Sequence, residues 1–302
     1  MHISLVVVHY NTKIDTDECV KSLSKVKRGD FTFNVVIVDN GSMEAYTLPR
    51  AIDKKKFEVV RSEANLGFTG GNNLGIFYSI EKWNSESVVL LNNDTVVSED
   101  FLKKLVDCST KNTHFGLLCP KIYFYKGNEY HKKSYGREQL GSVLWYAGGS
   151  IDWPNLSAFH RGVDEVDRGQ FDSVQTSDFA TGCCVLLKRE VLEKVGTFDK
   201  RFFLYFEDVD LSVRVKNAGY DIGFCPDSVI WHKNAGSSGG SGSRLHNYYI
   251  ARNRLLFAFK HANRSRLASG LRVLLQYLFG TTYERIAVTD FILNRFGKQP
   301  IV

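Results

Sequence analysis

Apolar residues arrive along this chain in short blocks divided by polar turns. Ile3 to Val8, Phe33 to Val38, Phe57 to Arg61 and Val88 to Leu91 are apolar, β-branched runs, the pattern of strands buried in a mostly parallel sheet. Between them the interval lengthens. Cys19, Val20, Leu23 and Val26 line one side of a helix over 15–26, and a second helix is predicted over 74–83. This β-α-β rhythm predicts an α/β chain with helices on both faces of a central sheet. Further on, the pattern predicts helices over 101–108, 189–195 and 211–218 and strands over 117–125, 179–188, 222–225 and 229–231. Amphipathic helices are expected over 244–260 and 267–279. Residues 126–172 are polar and aromatic without a period, and predict irregular structure with short antiparallel strands.

Composition narrows the class. With 43% hydrophobic and 24% charged residues, the 302-residue chain is neither disordered nor collagen-like. Its net charge of +6 gathers after Arg244, which points to an anionic partner: phosphate, a membrane surface or nucleic acid. No nucleic-acid-binding module is recognisable, so that partner is set aside. No run approaches the ~20 apolar residues of a membrane span. The first residues already read as a strand without a signal pattern, so a cytoplasmic protein is expected, with peripheral contact at the inner face of a membrane. The six cysteines, Cys19, Cys108, Cys119, Cys183, Cys184 and Cys225, show no metal or redox spacing and are expected as buried, reduced thiols. Residues 236–243 are all glycine and serine, either a linker or the hinge of a lid.

Candidate chemistry collects where strands end, because open α/β sheets bind ligands outside the carboxyl ends of their strands. The Val88 run stops at Asn92-Asn93-Asp94. A lone acid between amides suits a hard divalent cation that takes its other ligands from phosphate and water, or simply makes an Asx turn. Asp39 ends another buried strand, as a turn residue or as an acceptor for a nucleobase N–H. The stretch Asn65 to Asn73 carries Gly67, Gly70 and Gly71, which permit close approach of backbone to a ligand beside Asn65 and Asn72. It is neither a Walker loop nor a GxGxxG fingerprint.

Glu207-Asp208-Val209-Asp210 places three acids in one helical turn after an aromatic run, where desolvation can raise a carboxylate's basicity. Asp208, and less strongly Glu207, is the candidate base, with Asp210 tied to Arg214 one turn on. His232 ends a strand and is either a packed residue or a second cation ligand. Arg244, Arg252 and Arg254, beside Tyr248 and Tyr249, could fork onto phosphate or form a solvated helix face.

Taken in order, Val6-Val7-Val8-His9-Tyr10-Asn11, Val36-Ile37-Val38-Asp39-Asn40-Gly41-Ser42, Asn65 to Asn73, Leu90 to Thr95, Thr181-Gly182 and Phe203 to Leu211 resemble the family 2 glycosyltransferases, in their bacterial rhamnosyltransferase-like branch. The resemblance spans residues 3–255 and implies a GT-A fold: a nucleotide-sugar-binding half (1–110) and an acceptor-binding half (111–235) around one sheet, followed by the Gly/Ser loop and basic helices (236–302). It implies inverting transfer of a sugar, L-rhamnose from dTDP-rhamnose above others or a UDP-linked sugar, to a glycan or polyprenyl-linked acceptor, with Mg²⁺ or Mn²⁺ as cofactor.

In that frame Tyr10 and Asn11 lie near the nucleoside, Asp39 reads the base and Asn93 sits beside the metal ligands Asp94 and His232. Asp208 is the base, and acceptor contacts come from the region of Trp145 to His160. Asn92 replaces the first acid of the family's DXD motif, so the site carries one charge fewer. Two other classes compete. A non-catalytic nucleotide-sugar- or glycan-binding module is disfavoured by the acids at 94 and 208. A nucleotidyltransferase requires a basic glycine-rich loop where this chain has His9-Tyr10-Asn11.

Overall fold

A computed structural model describes residues 1–27, 29–234 and 242–300. The first half alternates as its apolar pattern requires. Its elements are β1 (His2–His9), α1 (Lys13–Leu23), β2 (Thr32–Asn40), β3 (Phe57–Ser62), α2 (Gly67–Trp83), β4 (Ser87–Asn92), β5 (Thr95–Val97) and α3 (Phe101–Lys111). The second half holds β6 (Phe115–Phe124), β7 (Leu144–Tyr146), β8 (Gly149–Asp152), β9 (Ser157–His160), β10 (Gln175–Ser177), β11 (Cys184–Lys188), α4 (Arg189–Val195), α5 (Glu207–Asn217) and β12 (Asp221–His232). Three helices follow: α6 (Arg244–Lys260), α7 (Arg264–Leu278) and α8 (Thr282–Ile292).

One sheet runs through the molecule in the order β10-β12-β6-β11-β4-β1-β2-β3, with β5 on β12 and β7 on β6. β1 pairs in parallel with both β2 and β4, and β6 with β12. Antiparallel β11 bridges β4 and β6 and so joins the strands of the two halves. Ile3, Val6, Val36, Val38, Val89 and Leu90 are fully buried, as strands covered on both faces must be.

Several elements depart from the sequence pattern. The strand predicted over 179–188 is only β11 (Cys184–Lys188), the helix predicted over 211–218 begins at Glu207, and β5 was not predicted. The stretch 67–73, expected as a loop, is the first two turns of α2. Its glycines serve packing: a Cβ on Gly71 would lie 2.9 Å from Val8, and one on Gly75 2.2 Å from Val6, so the helix sits closer to β1 than any other residue allows. The predicted strands at 222–225 and 229–231 are one strand, β12, interrupted by a register shift between Cys225 and Val229. Finally, α8 carries a capping box, Thr281 with Glu284, that the apolar pattern alone did not reveal.

The cysteine expectation is corrected in part. Cys19, Cys119, Cys183 and Cys184 are buried free thiols, but Cys108 and Cys225 form a disulfide. Packing of α3 on β12 brings together two cysteines that sequence spacing could not pair. Of the Gly/Ser loop, 235–241 lie outside the described residues, so the choice between linker and lid does too. Among the described residues, no helix is long and apolar enough to cross a membrane.

Candidate active site

The carboxyl ends of β2, β4 and β12 carry the predicted polar residues, and the clearest convergence is at β4 and β12. Antiparallel pairing of β5 with β12 sets His232 opposite Thr95, and the His232 Nε2 then lies 3.1 Å from the Asp94 carboxylate. The two residues are 138 positions apart in sequence. His232 is buried, its Nδ1 has no hydrogen-bond partner among the described residues, and the Trp145 ring meets the imidazole edge-to-face at 4.5 Å. Trp145 also contacts His160, whose imidazole burial pushes down to about 4. His160 is therefore neutral, with Nδ1 3.1 Å from the Trp145 carbonyl.

A carboxylate and an imidazole at this separation fit a divalent cation as two of its ligands. Among the described residues no third His, Cys, Asp or Glu joins them. Phosphate and water would have to complete the shell, the arrangement Mg²⁺ and Mn²⁺ accept.

Asp208 is placed against the same strand ends by a short relay of backbone bonds. The Asn92 N–H donates to the Cys183 carbonyl at 2.8 Å, and the neighbouring Gly182 N–H donates to Asp208 Oδ2 at 2.9 Å. Gly182 also lets the Phe68 ring of α2 lie where a Cβ would be, 2.7 Å away. Asp208 is half-buried. Burial raises its carboxyl above the usual aspartate range, against the pull of the Gly182 and Val209 N–H groups.

Glu207 is buried more deeply, and its Oε2 has no hydrogen-bond partner among the described residues. Burial, with the Asp208 and Asp210 charges, holds it well above the glutamate range. Asp210 is fully buried and spent on structure: it meets Arg214 at 3.0 Å, as the sequence suggested, and also Lys260 and His261.

The turn before α5 is strained. Phe203, Tyr205 and Phe206 all adopt positive φ, a region β-carbons disfavour. Helix α6 holds this turn. The Asn253 amide donates to the carbonyls of Phe202, Leu204 and Tyr205 at 2.7–2.9 Å, and Arg252 donates to those of Arg201 and Phe202. No charge or motif marks Asn253, and the sequence pattern passed over it; its adjacency to Arg252 was the only available signal.

Most of the remaining predicted residues bond within the chain. Arg252 is completely buried with its guanidinium on backbone carbonyls and Asn253. Arg254 donates to the carbonyls of Asn155 and Leu156 and to the Tyr277 hydroxyl. Each of the three guanidinium nitrogens of Arg252 and of Arg254 thus meets an acceptor within the chain.

Asp39, fully buried, accepts from the N–H groups of Ser42 and Tyr46 and from Arg61 at 2.6 Å. Burial pushes its carboxyl up, but those bonds outweigh it and hold the carboxyl below the usual range. Through these bonds it braces the 41–46 turn.

Asn11, at φ 58°, accepts from the Met43 N–H, lacing that turn to the end of β1, where half-buried Tyr10 stands. Asn65 accepts from the Gly67 N–H at 2.8 Å, and Gly67 approaches the Phe203 carbonyl instead of a ligand. Asn72 bonds the Phe68 carbonyl in its own helix, and Asn93 donates to Thr12 and Thr16 of the α1 start.

Comparison with known proteins points to one family. The family model described as glycosyltransferase-like family 2 matches residues 2–256. The hexosyltransferase Agl10 of low-salt glycan biosynthesis in Haloferax volcanii is 24% identical, over 98% of this chain and 92% of its own. The N-acetylglucosaminyl-diphospho-decaprenol L-rhamnosyltransferase of Mycobacterium tuberculosis is 26% identical over 68% of each chain. The dTDP-rhamnosyl transferase RfbF of Shigella flexneri is 25% identical over 82% of this chain and 77% of the relative.

Among solved structures, GalNAc-T7 with UDP, GalNAc and Mn²⁺ superposes with a TM-score of 0.60 at 17% identity, over 90% of this chain but only 54% of that one. The S. aureus TarS 1–349 complex with UDP gives 0.54 at 16% identity, over 97% and 80%. At such identities the likeness speaks to the fold alone, which is GT-A.

Proposed function

The chain belongs to the family 2-like glycosyltransferases, enzymes that draw on nucleotide-sugar donors, and from that premise we propose that it moves L-rhamnose from dTDP-rhamnose to a hydroxyl of a lipid-linked or surface-glycan acceptor, with inversion. Relatives named for rhamnose transfer, one of them for a decaprenol-linked acceptor, support the sugar and the acceptor class. The observation that carries the chemistry is the backbone relay from Asn92 through Cys183 and Gly182 to Asp208. It brings the Asp94–His232 pair and the base candidate to one group of strand ends.

A sugar hydroxyl is scarcely ionised at neutral pH, so the attacking oxygen must lose its proton as its bond to the anomeric carbon forms. Asp208 takes that proton. The Gly182 and Val209 N–H groups fix its carboxylate, and burial keeps it basic. Attack from the face opposite the departing diphosphate inverts the carbon, while the diphosphate leaves with the electron pair of the broken C–O bond. Asp94 and His232 would hold a divalent cation, which when bound offsets the charge gathering on the diphosphate. No covalent nucleophile is needed. Trp145 and His160 wall the site beside His232 and would meet the acceptor.

A thermal-shift screen of nucleotide sugars with and without Mn²⁺ tests this. A ligand present at 100 times its Kd stabilises the folded chain by about 2.7 kcal/mol. dTDP-rhamnose is expected to give the largest shift, and EDTA or Asp94→Ala to remove it. A UDP-sugar ranking first would change the donor; a shift indifferent to EDTA would remove the metal.

A further inference from the structure

Helix α7 turns its leucines outward. Leu267, Leu271, Leu275 and Leu278, at intervals of four, four and three, share one side of the helix and are 41%, 49%, 56% and 40% exposed. Phe279 at the end of the helix is 89% exposed, and Ile286 on α8 is 42% exposed. The opposite side, with Gly270, Val273 and Tyr277, is buried, with α6 and α8 as its neighbours. The outward leucines therefore contribute little to the fold. Exposed apolar residues scattered singly need no explanation, but a stripe along a whole helix marks a contact surface.

Charge decides what covers it. From His261 to Tyr283 there is no Asp or Glu, while Arg264, Arg266 and Arg272 fall in the same stretch and Arg285 follows. Arg266 stacks on Trp153 at 3.5 Å and Arg272 reaches Asn155 at 3.0 Å; Arg264, Arg272 and Arg285 are exposed. A second copy meeting this face would bring arginines together with no acid from the helix to answer them. An anionic lipid surface complements both the apolar stripe and the basic rim.

We propose that the outer face of α7, with Phe279 and Ile286, docks the protein on an anionic bilayer, the helix lying in the plane of the interface. This contact is independent of which sugar is transferred. It also assigns the basic C-terminal charge a role that Arg252 and Arg254, both committed inside the fold, do not fill.

The test is co-sedimentation of the full chain with vesicles of phosphatidylcholine alone and of phosphatidylcholine mixed with phosphatidylglycerol. The wild type is expected to sediment with the anionic vesicles, less so as salt rises, and to stay in solution with the neutral ones. Leu271→Glu/Leu275→Glu should weaken binding by about tenfold or more, while donor hydrolysis in vesicle-free buffer is unchanged. Phe279→Ser, at a residue nearly free of packing, should weaken it in the same direction and serves if the double variant fails to fold. The proposal is overturned if the wild type ignores both vesicle types or binds both equally. It is also overturned if light scattering shows a dimer that the double variant splits, which would make the face a contact between copies.

Discussion

Asp208 and Glu207 are neighbours in sequence but differ in surroundings. Both carboxyls are raised by burial, yet Asp208 accepts two backbone N–H groups that favour its ionised form, while Glu207 Oε2 has no partner among the described residues. Asp208 is thus the one of the two that can be ionised and still basic. Asp208→Asn should lower kcat by roughly 10²–10⁴-fold while leaving the donor-induced thermal shift intact. The pH dependence has a definite sign. The base works only when deprotonated, so kcat/KM should rise with pH through an ionisation above the ordinary aspartate range and then level. A profile already flat from acid pH would assign the proton to another group.

At this scale the sequence named Asp94, His232, Asp208 and Asp210 because each follows an apolar run that fixes where the chain must end or turn. For Arg252, Arg254 and Asp39 it showed charge but not direction, because residue type does not reveal which way a side chain points. An arginine on a tyrosine-rich helix reads the same whether its fork meets phosphate or, as Arg252 does, the carbonyls of Arg201 and Phe202.

Between strand and helix, the 201–206 turn is the element that aims the base. Non-glycine residues in the left-handed region cost of order 1–3 kcal/mol each unless their surroundings hold them. Here the holding is done by Asn253, whose amide lies on three carbonyls of the turn, and by Arg252 behind it. Asn253→Ala removes those donors and leaves buried carbonyls unpaired, so the turn should relax and carry α5 with it. A displacement of about 1 Å at a catalytic group can cost 10²-fold. The expected result is a kcat fall of that order with donor KM near the wild-type value, because Asp94 and His232 belong to other elements. A variant with kcat unchanged would show that the turn holds itself.

No local pattern marks this clamp, since its partners are backbone atoms some fifty residues away. The start of α2 was hidden for a related reason: Gly67, Gly70 and Gly71 read as loop, and only their neighbours in the fold, Phe203 at Gly67 and Val8 of β1 at Gly71, account for glycine in this helix.

Across the whole molecule, strand order and the Cys108–Cys225 disulfide tie the two halves of the chain together. The alternation of apolar blocks made the parallel half of the sheet legible, but antiparallel β11 between β4 and β6 depends on long-range pairing that no local pattern records. The disulfide follows from the same topology. It joins α3 to β12 at the register shift and closes a loop of 117 residues. The other four cysteines are buried. Burial pushes the Cys19 and Cys119 thiols up to about 12 and raises Cys183 and Cys184 too, so none supplies a thiolate for exchange at neutral pH.

Reduction should therefore act on one bond. Loop closure of this kind stabilises typically by 2–4 kcal/mol, mainly by restricting the unfolded chain. A larger molecule loses about 2–4 °C of Tm for each kcal/mol, so reductant should lower Tm by several degrees. Cys108→Ser/Cys225→Ser should melt at the lower temperature with or without it. Thiol titration of the denatured, unreduced protein should count the four free cysteines. A count of all six, with melting indifferent to reductant, would mean that packing of α3 on β12 holds the halves without a covalent link.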